Sequence, residues 1–309
     1  MLQAVIYDAC QELMGAASKL PIVHWQLQFE LTQDTRLEQY KGNILHGGFG
    51  RSLAKVATSL YESLYTQPLN NNRWVSPFII SCTDERLHYS SGARLNIQLT
   101  LLADVAANKG QIMQALQHWQ QLGFGPDRTP FILHSITEQQ RLIYHHDLSI
   151  EAYANSDKLS YHLHTGWQQR PAEWREQDVY CLNTLTRCRL QQNGAPINYV
   201  PTLYHWTLAI RRRFSQLAQR DERSLPLHGY DTPRVEPKIM EATFSDWQKF
   251  SVQSKRQVNI GGLTGQWCYS QLTELDYLWL LIGEQIGIGN KCSFGFGRYQ
   301  GYMTRLQDF

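Results

Sequence analysis

After a short leading helical segment, the chain settles into strict alternation. In Val23-His24-Trp25-Gln26-Leu27-Gln28-Phe29-Glu30-Leu31 the odd positions are apolar and the even ones polar, the period of a half-buried strand. The period then changes. Leu45, Phe49, Leu53, Val56, Leu60 and Leu64 recur at gaps of 4, 4, 3, 4 and 4, which predicts one amphipathic helix. Strands follow at Pro77–Cys82 and Arg94–Leu101, then a helix with Ile112, Leu116 and Trp119 on one face. Gly123-Phe124-Gly125-Pro126 ends it, and Phe131–Ile136 and Leu142–His146 read as strands. The order strand, helix, strand, strand, helix, strand is that of a ferredoxin-like unit.

Residues 148–178 are polar, with Trp167, Pro171 and Trp174, and read as a linker or irregular insertion. The pattern then starts again. Val179–Leu190 reads as a strand ending in a turn at Asn193-Gly194, and Leu203, Trp206, Ile210, Phe214 and Leu217 mark a helix. Strands are expected at Phe244–Val252, Arg256–Gly261 and Gln266–Tyr269, a helix along Leu275, Trp279, Ile282 and Ile286, and a last strand at Phe296–Met303. The expected fold is α+β, with tandem ferredoxin-like (RRM-like) βαββαβ domains and antiparallel sheets. The expected boundaries are 1–147 for the first domain, 148–177 for the linker and 178–309 for the second domain.

Composition narrows the classes. At 309 residues, 42% hydrophobic and 12% aromatic, the chain can build about two ordinary cores. It has no run of 18 apolar residues and no basic start before its first apolar stretch, so neither a spanning helix nor a signal peptide is expected. A cytoplasmic protein is the expectation. Its six cysteines, Cys10, Cys82, Cys181, Cys188, Cys268 and Cys292, form no CxxC pair and read as buried or incidental thiols. The eleven histidines show no zinc spacing; His145 and His146 are adjacent, and His162 and His164 alternate as on a strand. Residues 1–180 hold 14 Lys/Arg against 17 Asp/Glu, and residues 181–309 hold 15 against 10. The basic second half points to a polyanionic partner.

Two glycine-rich stretches carry the candidate chemistry. Gly287-Ile288-Gly289-Asn290-Lys291-Cys292-Ser293-Phe294-Gly295-Phe296-Gly297-Arg298 has four glycines, a lysine and an arginine. Such a loop is either a tight turn or a concavity of backbone N–H groups that holds an anion. Leu45-His46-Gly47-Gly48-Phe49-Gly50-Arg51-Ser52-Leu53 puts three glycines in the first turns of a helix, at about 1 kcal/mol each against alanine. Either a packed neighbour or a ligand at the helix N-terminus must come close there.

Together with Asp246-Trp247-Gln248-Lys249-Phe250-Ser251 and Gly261-Gly262-Leu263-Thr264-Gly265, these stretches resemble a known family. It is that of the CRISPR-associated endoribonucleases of the RAMP superfamily that process precursor CRISPR RNA within its repeats (the sixth Cas family, C-terminal-domain subfamily). The resemblance extends over most of the chain. It implies RNA cleavage without metal or cofactor: the ribose 2′-hydroxyl attacks the adjacent phosphate, leaving a 2′,3′-cyclic phosphate and a 5′-hydroxyl. His46 matches the family's acid/base position, with His24 on the first strand in reserve. Tyr40, Lys41, Arg51 and Lys55 supply a phenol and cations beside it. An ordinary imidazole, titrating near 6.5, serves as base or acid around neutral pH. Without the resemblance, a helix-start histidine bonded to a backbone carbonyl is the plainer reading of His46.

RNA contacts are expected from Lys249, Lys255, Arg256, Gly287, Gly289, Lys291, Ser293, Gly295, Gly297 and Arg298. Arg211-Arg212-Arg213 either contact phosphates or form a solvated helix face. Trp25, Trp206, Trp247 and Trp279 read as core. The partners implied are precursor CRISPR RNA, with effector-complex subunits and a second copy of the chain as further candidates, and no membrane. The competing reading is a RAMP subunit that binds RNA without cutting it; a histidine-based metal hydrolase ranks last.

Overall fold

The computed structural model describes residues 2–66, 74–148, 156–175, 177–192, 194–226, 236–245, 248–251, 256–259 and 261–305. The chain forms two compact units. One comprises Leu20–Lys158 with Cys292–Gly295, the other Met1–Lys19, Leu159–Lys291 and Phe296–Phe309. The leading helix α1 (Leu2–Ala17) therefore goes with the C-terminal unit, and four residues of the glycine-rich stretch go with the N-terminal one.

The N-terminal unit is built on the alternating stretch, which becomes β1 (Pro21–Leu31). Next in the chain come α2 (Gly42–Val56), α3 (Thr58–Tyr65), β2 (Phe78–Ser81), β3 (Arg94–Leu102), α4 (Lys109–Leu122), β4 (Phe131–Glu138) and β5 (Arg141–His145). β1 runs antiparallel between β3 and β4, with Leu27 opposite Ile97 on one side and Ile136 on the other. The sheet order is β2-β3-β1-β4-β5. This is the ferredoxin-like order with β5 added at the edge and a two-residue strand, Asp157–Lys158, pairing with the start of β1. Trp25, Leu27 and Phe29 of β1 share a fully buried core with Leu45, Phe49 and Leu53 of α2 and Ile112, Leu116 and Trp119 of α4.

Helix α2 explains its own glycines. A Cβ at Gly48 would lie inside the indole of Trp119, and one at Gly50 would press on the ring of Tyr65. At these two positions packing, not a ligand, requires the missing side chain. The single helix expected through Leu64 is two, because Ala57 leaves helical geometry at φ −150° and ψ 69°. Leu60 and Leu64 stay buried on α3, so the apolar period runs across a break it does not reveal.

The C-terminal unit repeats the plan. Its elements are α5 (Leu159–Gln168), β6 (Asp178–Thr184), α6 (Leu203–Leu217), β7 (Lys238–Ser245), β8 (Gln248–Ser251), β9 (Arg256–Asn259), β10 (Gly262–Tyr269), α7 (Glu274–Ile286) and β11 (Tyr299–Arg305). The order β7-β10-β6-β11 is again second, third, first, fourth. Tandem ferredoxin-like units are thus the fold. Trp206 of α6 meets Trp267 and Tyr299 edge-on at 5.4 and 5.3 Å, and Phe214 meets Trp279 at 5.7 Å. Trp25, Trp206 and Trp279 are core residues, at most 1% exposed. Trp247 lies outside the described residues.

Several expectations are corrected here. The stretch 148–178 contains α5, which buries Leu159 and Leu163, so His162 and His164 sit on a helix and not a strand. The strand expected over Val179–Leu190 stops at Thr184, where the Leu185 and Thr186 N–H groups both turn to the Arg298 carbonyl. The strand expected over Phe244–Val252 is two, β7 beginning earlier at Lys238. Cys181 and Cys268 are not incidental thiols. They stand directly opposite on β6 and β10, and their sulfurs are bonded. Cys10, Cys82, Cys188 and Cys292 are not in disulfides. No described helix is long and apolar enough to cross a membrane.

Two predictions follow from this packing. Gly48→Ala should destabilise the protein by about 1–3 kcal/mol, the usual cost of overpacking. Gly47→Ala, whose Cβ would meet nothing nearer than Arg51 Nη1 at 3.6 Å, should be neutral or stabilising by up to about 1 kcal/mol; urea unfolding of both variants checks this. The second concerns Glu284, which accepts from the Tyr180 hydroxyl and whose burial pushes its carboxyl up to about 7. The folded state holds that proton where the unfolded chain has lost it, so stability is full below about pH 4.5 and falls as pH rises through 7. The loss amounts to about 3 kcal/mol at most. Glu284→Gln should remove this slope from a series of melts between pH 5 and 8.

Candidate active site

His46 sits on the second turn of α2, half-buried. Its Nδ1 is 3.0 Å from the Ser293 carbonyl oxygen. A carbonyl only accepts, so Nδ1 carries the proton and Nε2 is the basic nitrogen of the neutral ring. The Phe294 ring stacks on the imidazole with centroids 3.7 Å apart and planes 20° apart. Tyr65 and Phe78 add ring contacts at 4.7 and 5.9 Å, and the Tyr65 hydroxyl donates to the His46 carbonyl at 2.8 Å. Burial keeps the Tyr65 phenol far above its ordinary range, so it is a neutral donor. The carbonyl bond that the plainer reading of His46 required is therefore present, and the same bond sets the tautomer.

The neighbours named from the sequence divide sharply. Tyr40 donates its hydroxyl to the Phe294 carbonyl, so it faces the same turn as His46. Arg51 and Lys55 are exposed one turn apart on α2, and the Arg51 guanidinium lies back over Gly47. Lys41 is not an available cation. It is 1% exposed, and its Nζ donates to the carbonyls of Glu38, Gln39 and Arg86 at 3.1, 3.3 and 2.8 Å, with burial drawing its pKa down. The reserve candidate, His24, lies on β1 with Nδ1 3.1 Å from Thr100 Oγ1. Phe294 and Tyr65 were missed from the sequence. An aromatic residue set among loop glycines was the only signal for Phe294, and nothing local marked Tyr65.

The glycine-rich stretch is largely folded onto protein. Gly289, Gly295 and Gly297 have positive φ, and a Cβ on each would strike a carbonyl, of Arg189, Ile80 and Ile288 respectively. Within the C-terminal unit the Asn290 and Gly297 N–H groups donate to the carbonyls of Arg189 and Arg187 at 2.8 Å, and Ile288 donates to Gly297 at 2.9 Å. Within the N-terminal unit Gly295 donates to Cys292 at 2.8 Å. Lys291 is half-buried, its pKa lowered by burial and by Arg189; burial brings Arg298 down to about 10. Of the expected RNA-contact residues, Ser293 and Gly295 belong to the unit that carries His46, and Gly287, Gly289, Lys291, Gly297 and Arg298 to the other. Lys249 and Arg256 lie on the paired strands β8 and β9, and Lys255 lies outside the described residues.

The arginine run is engaged internally. Arg213 Nε donates to the Ile286 carbonyl at the end of α7 at 2.7 Å, Arg211 donates to the Glu222 carbonyl, and Arg212 pairs with the Glu222 carboxylate at 3.4 Å. Among the described residues no three His, Cys, Asp or Glu side chains gather into a metal-binding group.

Comparison with known proteins bears on the fold. Residues 20–156 match a family model described as an N-terminal domain, and residues 182–299 match that of the CRISPR-associated endoribonuclease Cas6. No curated protein matches the chain. Among solved structures, a partial Cas6-RT-Cas1–Cas2 complex gives a TM-score of 0.63 at 11% identity, covering 93% of this chain and 47% of that one. The chain thus spans about half the length of that relative. Thermus thermophilus Cas6 gives 0.53 at 15% identity over 92% of this chain and 99% of that one. A Cas6 product complex gives 0.51 at 15% over 91% and 99%. Identities this low speak for the fold. Residues 182–299 thus match the Cas6 family model, and the chain shares its fold with solved Cas6 structures along nine-tenths of its length.

Proposed function

We propose that the protein is an endoribonuclease that cuts precursor CRISPR RNA within its repeats, with His46 as general acid/base. The observation that carries this reading is the Nδ1 bond to the Ser293 carbonyl, which leaves Nε2 as the nitrogen able to take or return a proton. Nε2 would take the proton of the ribose 2′-hydroxyl, whose oxygen attacks the adjacent phosphorus. The bond to the 5′-oxygen breaks, and the protonated His46 ring returns the proton from Nε2 to that oxygen as it leaves. The products are a 2′,3′-cyclic phosphate and a 5′-hydroxyl, with no metal in the step. Arg51, exposed and lying over Gly47 next to His46, would meet the charge that builds on the phosphorane. Lys55, one turn further, would contact a flanking phosphate, the salt-dependent part of affinity. Lys249, Lys255, Arg256, Lys291 and Arg298 are proposed as further RNA contacts. Solved structures include a Cas6 product complex and a Cas6-RT-Cas1–Cas2 complex; precursor RNA and CRISPR protein subunits are proposed here as partners on that basis.

Incubation of the purified protein with repeat RNA from its own genomic neighbourhood, in chelator, tests this. Cleavage should persist, and a single 2′-deoxy at the cut site should abolish it. Loss of cleavage in chelator would overturn the metal-free step. Tight binding without any cut would instead make the protein a structural RNA-binding subunit. His46→Ala should slow single-turnover cleavage by roughly 10²–10⁴-fold with RNA affinity kept, and a wild-type rate in that variant would remove His46 from the mechanism.

A further inference from the structure

The four residues Cys292–Gly295 stand apart from the stretch in which they occur. They fold with the N-terminal unit, as a single 3-10 turn with Gly295 closing it, and none of their side chains is charged. What they present to α2 is a main-chain carbonyl and a phenyl ring. The carbonyl of Ser293 accepts from His46 Nδ1 at 3.0 Å, and the ring of Phe294 covers the imidazole at 3.7 Å. Such an arrangement suits an aromatic heterocycle.

The turn is itself held from two sides. The Tyr40 hydroxyl donates to the Phe294 carbonyl, and Gly42, where a Cβ would collide with that carbonyl and with the Tyr40 phenol, lets the two approach. On the other side Gly295, at φ +88°, lies against β2; a Cβ there would come within 2.7 Å of the Ile80 carbonyl and 3.0 Å of Ser81 Cα. The turn's position is thus fixed by contacts that leave no room for side chains. His46 in its turn donates to the Ser293 carbonyl and is stacked by the Phe294 ring.

We infer that the Cys292–Gly295 turn is a positioning device for His46, with Phe294 and Tyr40 as positioning residues and the Ser293 carbonyl as the group that selects the Nδ1–H tautomer. The inference rests on the reading of His46 as the acid/base, and it moves Tyr40 and Ser293 out of direct contact with RNA. Phe294 holds the imidazole plane, Ser293 holds its proton, and Tyr40 holds the turn.

The test reads the ring directly. In protein labelled with 15N at histidine, the His46 signals are assigned by their loss in His46→Ala. In the wild type above the ring's pKa, Nδ1 should resonate as a protonated nitrogen and Nε2 as an unprotonated one. Phe294→Ala should move both toward the averaged values of mixed tautomers. It should also lower the single-turnover rate on the repeat RNA by about 10–100-fold, the usual worth of an orienting partner, with RNA affinity within about twofold of wild type. Phe294→Tyr should restore both readouts. Tyr40→Phe should shift the ring signals the same way by a smaller amount. Thermal unfolding checks that each variant folds, and Phe294→Leu, which keeps an apolar side chain there, serves if Phe294→Ala does not.

A folded Phe294→Ala or Phe294→Leu variant with wild-type ring signals and rate would overturn the inference. So would a loss of RNA affinity at unchanged rate, which would make the turn an RNA contact. If His46→Ala cleaves normally, the acid/base reading fails by itself, and the ring signals still decide whether the turn orients the imidazole.

Discussion

The structure around His46 depends on one close approach, in which a main-chain carbonyl is brought within 3.0 Å of an imidazole 247 positions away in sequence. Backbone can come that near only where side chains are absent. Gly42 and Gly295 supply the absence on the two sides of the turn, and the aromatic rings of Phe294, Tyr65 and Phe78 fill the space around the imidazole. Glycine here serves protein–protein contact within one chain. The same holds for Gly48 and Gly50 on α2, which admit Trp119 and Tyr65. An anion-binding concavity needs N–H groups directed outward, whereas those of Asn290, Gly295 and Gly297 are directed to carbonyls of the protein.

A similar economy governs charge. The surplus of basic residues after position 180 points in sequence to a polyanion-binding face, but several of these residues close the fold. Arg213 caps α7, Arg211 and Arg212 hold the Glu222 turn, and Arg189 donates to the Gly261 carbonyl at 2.8 Å while 8% exposed. Guanidinium suits this work, since its planar fork of donors can satisfy carbonyls at helix and loop ends. The exposed cations of α2 are different in kind. Arg51 and Lys55 project from α2 with no such duty visible in their exposure.

The fold was legible because its signals are periodic. Alternation in β1 and the repeat along α2, α4, α6 and α7 gave element type and order, and order alone implied the ferredoxin-like plan. What escaped was aperiodic. A single non-helical residue, Ala57, splits α2 from α3 without disturbing the apolar stripe. The strand after Val179 ends at Thr184 because two N–H groups turn to the Arg298 carbonyl, a partner more than 100 positions distant. The disulfide needed the register that sets Cys181 against Cys268, and no cysteine spacing encodes a register. The candidate site divides the same way. His46 was found from its place on the first helix, while Phe294 and the Ser293 carbonyl were invisible, since a carbonyl belongs to every residue and only its position gives it a role.

The long separation between His46 and its acceptor has a consequence for the order in which the protein comes into being. The N-terminal sheet and α2 leave the ribosome early, with the imidazole in place. Ser293 follows 247 residues later, which at ordinary elongation rates is roughly 10–50 s. Throughout that interval the nascent chain carries its histidine without the carbonyl that fixes its proton or the ring that holds its plane. The N-terminal unit is completed only once Cys292–Gly295 has been made, so maturation of the site is tied to synthesis of the second unit and not to the folding of the first.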